Sequence, residues 1–176
     1  MKTDTNRILL YGGPSVGKSI NSALIFGKLK LKGYNAELVS EYAKELAWSG
    51  KKISDLFTQI DIFIHQYKKE QALIGKVDFL VTDSPLMLNA YYSKNDFPIG
   101  VAKENLREND FHFWLTRDEV KFEEFGRVHN HTQAVKIEKD MCEFLTGQGI
   151  KLIEVSCPIE ERADWIIDYV LKHRRE

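Results

Sequence analysis

The sequence predicts an α/β fold, a parallel sheet with helices on both faces, and three observations predict it. Short apolar runs alternate along the chain with stretches whose apolar residues recur at three and four. The first run, RILLY (7–11), leads directly into the glycine-rich GGPSVGKS (12–19), out of which a helical pattern continues. The runs are apolar almost throughout, as strands buried on both faces are. Ligands in such sheets sit beyond the carboxyl ends of the strands, so chemistry is expected at residues 12–19, Glu41, Asp83 and Arg117.

Taken in order, RILLY ends at glycines and reads as a buried strand. From Lys18 the segment KSINSALIFGKLKLKG places apolar residues at 20, 24, 25 and 29 and stops at Gly33, a helix C-terminal cap. NAELVSE (35–41) reads as a second strand and YAKELAWSG (42–50) as a short helix ended by Gly50. Ser54 is expected to cap a long helix with apolar positions 56, 57, 60, 63, 64 and 67. VDFLVTDSP (77–85) reads as a third strand broken at Pro85, followed by helical stretches around 86–94 and 100–108. FHFWLTR (111–117) is the fourth strand. DEVKFEEFGRVHNH (118–131) is charged and short of aliphatic residues, which predicts a mobile, solvent-facing segment. A helix over 131–146, the strand KLIEVS (151–156) and a helix from about Ile159 to His173 complete the series.

The 176 residues suit one compact domain, 1–176, able to bury a core without disulfides. Hydrophobic residues make up 43% and charged residues 29%, and no apolar run reaches the length of a membrane span, so no membrane partner is expected. MKTDTNR lacks the apolar stretch of a secretory signal, and Cys142 and Cys157 have neither metal nor redox spacing; a cytoplasmic setting is expected. Against 26 acidic residues stand 25 Lys and Arg, a net charge of −1, which disfavours DNA as a partner and leaves only a local basic patch, KHRR (172–175), to serve one.

Gly12, Gly17, Lys18 and Ser19 satisfy G-x-x-x-x-G-K-[ST]. Glycines let backbone N–H groups turn toward phosphate oxygens, the lysine brings a cation to the β and γ phosphates, and the serine is a ligand for Mg²⁺. The nucleotide cradle is therefore Gly12, Gly13, Pro14, Ser15, Val16, Gly17, Lys18, Ser19 and Ile20, with ATP and Mg²⁺ as cofactors. Asp83 ends an apolar strand, where a carboxylate can hold the metal or its water; the alternative is a turn-favouring Asp. Glu41 follows the second strand as Asp83 follows the third, which suits it to take a proton from an attacking hydroxyl; the alternative is an acid set at a helix start by the helix dipole. Arg127, beside Gly126, is either a solvated cation or a hinged charge that closes over a moving phosphoryl group, and Arg117 either does likewise or packs against adenine. SKND (93–96) follows a helix-like stretch and reads as a loop, not a guanine-reading motif; HNH (129–131) is too compact for a zinc site. His65 and Gln66 fall on the polar side of the long helix and read as exposed, whereas Trp48, Tyr67, Tyr91 and Tyr92 read as core.

The succession GGPSVGKS, SEYAKEL, HQYKKEQALI, FLVTDSPLM, FWLTRDEVKFEEFGR and IKLIEV resembles the ribosylnicotinamide kinase domain of the bacterial NAD-biosynthesis regulator. It is similar too to small P-loop kinases of bacteriophages, some of which phosphorylate 5-hydroxymethyluracil in viral DNA. The resemblance spans nearly the whole chain. It implies a P-loop kinase-like three-layer α/β/α sandwich, a five-stranded parallel sheet in the order 2-3-1-4-5, and an arginine-bearing lid after the fourth strand, about 117–131. It further implies Lys18 and Ser19 on triphosphate and magnesium, Glu41 and Asp83 near the acceptor hydroxyl and the metal, and Arg127 as the lid arginine. Tyr42, Gln66 and Tyr67 would line the acceptor pocket, to which DSPLMLNAYYSKNDFP (83–98), without a counterpart in the family pattern, is expected to contribute. The function so implied is transfer of the γ-phosphoryl group of ATP to a hydroxyl of a nucleoside, nucleotide or modified base, in the host cytoplasm if the chain is phage-encoded. One alternative is a ribosylnicotinamide-type small-molecule kinase, and the reading from another class is an ATP-hydrolysing switch or binding protein.

Overall fold

A computed structural model describes residues 4–117 and 131–174. In chain order the elements are β1 (Asn6–Tyr11), α1 (Lys18–Leu31), β2 (Ala36–Val39), α2 (Tyr42–Trp48), α3 (Leu56–Gln71), β3 (Phe79–Thr82), α4 (Leu86–Ser93), α5 (Asp96–Glu104), β4 (Asp110–Leu115), α6 (His131–Gly147), β5 (Ile153–Val155) and α7 (Arg162–His173). The five strands form one parallel sheet in the order β2-β3-β1-β4-β5, the order implied by the sequence resemblance. Among the described residues no helix is long and apolar enough to cross a membrane.

Successive residues of a strand point to opposite faces, and β1 divides its apolar side chains accordingly. Ile8 and Leu10 pack with Ile25 and Leu29 of α1 and with Ile166 and Val170 of α7 on one face. Leu9 and Tyr11 pack on the other with Phe63 of α3, Met87 of α4, Ala102 of α5, and Met141 and Leu145 of α6. Both faces are thus covered, which is why RILLY carries no polar alternation. Each fully buried Leu or Ile contributes about 1.5–3 kcal/mol relative to exposure.

The register puts four strand positions on one level. Val39 of β2 pairs with Thr82 of β3, Thr82 with Leu9 of β1, and Leu9 with His112 of β4. Segments that leave the strands beyond this level therefore converge on one rim.

The opposite rim is held by a buried polar cluster. Arg7 grips Asp110 with two hydrogen bonds, Nε to Oδ1 at 2.6 Å and Nη2 to Oδ2 at 2.5 Å, and its Nη1 reaches Glu70 Oε2 of α3 at 3.2 Å. Asp110 already takes two of the N–H groups, so Glu70 receives the weaker share; burial, against the pull of Arg7, pushes its carboxyl up to about 7. His112 lies beside this cluster with Nδ1 3.2 Å from Tyr11 Oη, and burial lowers its imidazole to about 4.

Three local expectations change. Asp55, not Ser54, caps α3: its side chain accepts from Thr58 N at 3.0 Å and from Thr58 Oγ1 at 2.7 Å. The helix expected around 100–108 runs instead over Asp96–Glu104, because Asn95 accepts from Phe97 N at 3.0 Å and caps the start. Pro98 then falls in the first turn, where its missing N–H has no intrahelical acceptor to lose. SKND is the junction itself: Ser93 ends α4, Lys94 adopts the left-handed conformation at φ 50, and Asn95 is the cap of α5. Finally, Trp48 is 84% exposed and not part of the core, since the short α2 buries only Leu46.

Candidate functional site

The phosphate loop leaves β1 at Gly12 and enters α1 through Gly17, and both glycines are required by their surroundings. At Gly12, φ 138, a Cβ would stand 2.7 Å from Leu115 O; at Gly17, φ 87, it would stand 2.6 Å from Ile159 Cδ1. Between them Ser15 adopts φ 65, so left-handed residues alternate with ordinary ones, the backbone pattern that turns successive N–H groups to one side.

The carbonyls of this loop are held by side chains. Lys18 Nζ donates to Gly12 O at 2.7 Å and Gly13 O at 2.9 Å. Arg117 Nη2 donates to Pro14 O at 2.9 Å, while its Nε binds Glu138 of α6 at 3.0 Å. Arg162 Nη1 donates to Val16 O at 3.0 Å, and Gly17 O accepts from Asn21 N at 2.9 Å and Asn21 Nδ2 at 3.0 Å. In a planar trans peptide the following N–H points opposite to the carbonyl, so fixing the carbonyls fixes the N–H directions. Val16 is fully buried in the core, whereas Ser19 and Ile20 stand exposed on the first turn of α1. Arg117 thus braces the loop from the root of β4. Arg127 and most of the segment 117–131 lie outside the described residues, as do His129 and Asn130.

Glu41 and Asp83 leave β2 and β3 beyond the shared level, on the rim where the loop leaves β1. Thr82 organises this corner. Its Oγ1 donates to Val39 O at 2.8 Å and accepts from Ser84 N at 3.1 Å and Gln66 Nε2 at 3.3 Å, tying β2, β3 and α3 together one residue before Asp83. Asn89 braces the following turn by donating from Nδ2 to Ser84 O at 2.9 Å and Pro85 O at 3.1 Å. Asp83 itself is 6% exposed, and its Oδ1 has no hydrogen-bond partner among the described residues. A buried carboxylate oxygen left open is costly, and a cation or its water is the partner that removes the cost. Together with the exposed Ser19 this donor set fits Mg²⁺, which takes oxygen ligands and retains waters. Among the described residues there is no cluster of three or more His, Cys, Asp or Glu, so no all-protein metal cage competes with that corner.

Glu41 is the N-cap residue of α2, yet its side chain makes no cap hydrogen bond. Its charge is felt at Tyr92 of α4, where burial first and Glu41 second raise the phenol. Tyr42 stacks face to face on His65, centroids 3.7 Å apart and planes at 9°, with Lys69 Nζ 5.5 Å from the Tyr42 ring. Tyr67 is half-buried against the α3/α4 core. Gln66, read from sequence as exposed, is fully buried because α3 turns it inward to Thr82; His65 is half-buried against Tyr42. Sequence reasoning missed Thr82, Asn89 and Arg162. A β-branched hydroxyl just before a strand-end carboxylate was the available signal for the first; nothing local marks the other two. A cavity of about 450 Å³ between Arg107, Phe111, Lys151 and Tyr169 lies at the amino ends of β4 and β5, remote from this rim.

Comparison with known proteins agrees with this fold. The solved deoxyadenosine kinase from M. mycoides with bound dATP aligns over 94% of this chain and 99% of its own, with a TM-score of 0.64 and 19% identity. The Mycobacterium tuberculosis APS kinase in complex with AMPPNP and APS aligns over 97% and 99%, with a TM-score of 0.53 and 13% identity. At these identities the likeness is one of fold, the P-loop kinase-like fold. No curated protein sequence matches the chain. Residues 7–162, from the second residue of β1 to the first residue of α7, match the AAA domain family, and the chain belongs to that family.

Proposed function

We propose that the protein is an ATP- and Mg²⁺-dependent phosphotransferase that moves the γ-phosphoryl group to a hydroxyl of a nucleoside, nucleotide or modified nucleobase, 5-hydroxymethyluracil included. The observation that carries this reading is the rim shared by the phosphate loop, Glu41 and Asp83, whose Oδ1 has no hydrogen-bond partner among the described residues. Loop N–H groups and Lys18 bind the β and γ phosphates, and Ser19 and Asp83 hold the metal. Bound Mg²⁺ would neutralise charge on the phosphate oxygens. Glu41 orients the acceptor hydroxyl and takes its proton as the oxygen–phosphorus bond forms and the bond to the β–γ bridging oxygen breaks. Tyr42, Tyr67 and the Tyr92 side of α4 bound the acceptor, Gln66 stands behind them on Thr82, and Arg127 closes over the transferring group. That the fold neighbours are a deoxyadenosine kinase and an APS kinase supports a small-molecule alcohol acceptor.

The reading from another class is an ATPase that hydrolyses without transfer. Incubation with ATP, Mg²⁺ and a panel of nucleosides, nucleotides and hydroxymethylated DNA separates the two. Transfer yields a phosphorylated acceptor. Release of ADP and inorganic phosphate at one rate with every acceptor, and no phosphorylated product, rejects the kinase reading. A DNA acceptor would in addition lose turnover steeply as salt rises, through counterion release.

A further inference from the structure

Arg162, the first residue of α7, is the largest fully buried side chain among the described residues. Its guanidinium spreads over three backbone carbonyls from three segments: Nε to Cys157 O after β5 at 2.8 Å, Nη2 to Thr116 O after β4 at 3.0 Å, and Nη1 to Val16 O of the phosphate loop at 3.0 Å. A rigid planar fork with a delocalised charge is the side chain that can satisfy carbonyls in three directions at once. The bond to Val16 has a consequence at the next atom: with that carbonyl turned to the core, the N–H of Gly17 points away from the core. Gly17 holds φ 87, a left-handed conformation that L side chains rarely adopt, so its peptide is set by its partners and not by a side chain of its own. Arg162 also places a buried, weakly screened positive charge beneath a loop built to receive anions.

Resting on the nucleotide-binding reading above, we infer that Arg162 is the positioning residue of the phosphate nest: it sets the Val16–Gly17 peptide for phosphate capture and ties that peptide to the ends of β4 and β5. It acts through the loop without touching the nucleotide. Its effect belongs to the phosphates and not to the base.

The test is titration of the wild-type protein, Arg162→Lys and Arg162→Met with ATP and with inorganic tripolyphosphate, alongside thermal unfolding. A lysine reaches one carbonyl where the fork reached three. Both ligands are therefore expected to weaken by the same factor, tenfold or more, in each variant that keeps a cooperative unfolding transition. A folded variant that binds tripolyphosphate within twofold of wild type overturns the inference, as does loss confined to ATP. Should both variants fail to fold, the wild-type protein still decides: the Gly17 amide resonance must shift on adding tripolyphosphate, and an unmoved Gly17 amide overturns it. Wild type that binds neither ligand would instead overturn the nucleotide-binding reading.

Discussion

At the scale of single residues, the phosphate loop was legible because its chemistry is local: Gly12, Gly17, Lys18 and Ser19 fall within eight consecutive residues, and each residue type answers a backbone or charge requirement of phosphate binding. Lys18→Ala should lower turnover by about 100-fold or more, the usual cost of removing one electrostatic donor, and near-normal rates would remove the loop from the chemistry. Asp83→Asn keeps the shape and removes the charge at an oxygen that has no hydrogen-bond partner among the described residues. It should raise the Mg²⁺ concentration needed for half-maximal turnover by about tenfold or more, read in a metal titration; an unchanged midpoint would make Asp83 a turn residue. What sequence did not disclose were residues whose partners come from afar. Gln66 meets Thr82 across 16 positions and Arg162 meets Val16 across 146, so neither pairing leaves a spacing to recognise. Gln66 was assigned to the polar face of its helix by periodicity alone, and that assignment failed because a buried hydroxyl, not a hydrocarbon, is what it packs against.

At the scale of elements, periodicity located every strand and helix that the structure describes, and the errors sit at boundaries. Ser54 and Asp55 are adjacent and both are good cap residues, so the choice between them depends on where the chain turns into α3, which tertiary packing decides. Asp55→Ala should lower the thermal unfolding midpoint, and Ser54→Ala should leave it unchanged. Equal effects would mean that the cap bonds to Thr58 are not formed in solution. The start of α5 shifts in the same way: Asn95 caps the helix, and Pro98 falls in its first turn, where a missing N–H costs no intrahelical bond.

At the scale of the whole molecule, the two rims of the sheet do different work. The amino rim is a charged, buried anchor whose two titrating members oppose one another. Glu70, raised from 4.5 to about 7 by burial, binds more protons folded than unfolded, so it makes stability fall as pH climbs from about 4.5 to 7. His112, lowered from 6.5 to about 4 by burial, binds fewer protons folded, so it makes stability rise between about pH 4 and 6.5. Each slope is at most about 1.4 kcal/mol per pH unit, and in the shared window they largely cancel. Relative to wild type, Glu70→Gln should therefore gain stability as pH rises through that window and His112→Gln should lose it, measured by urea unfolding at pH 4.5, 5.5 and 6.5. Parallel curves for all three proteins would mean that neither group is shifted. The carboxyl rim is the seat of the proposed chemistry, and the order β2-β3-β1-β4-β5 is what brings Glu41, Asp83 and the loop to neighbouring strand ends although 71 positions separate Gly12 from Asp83. That convergence was readable as a class of fold but not as a contact, since nothing in the chain between the two residues records it. Its most direct test is Glu41→Gln, assayed for kcat with the best acceptor and for ATP affinity in parallel. The account predicts a kcat lower by about 100-fold or more with ATP affinity within about threefold of wild type. Unchanged kcat, or an equal loss in both, would contradict it.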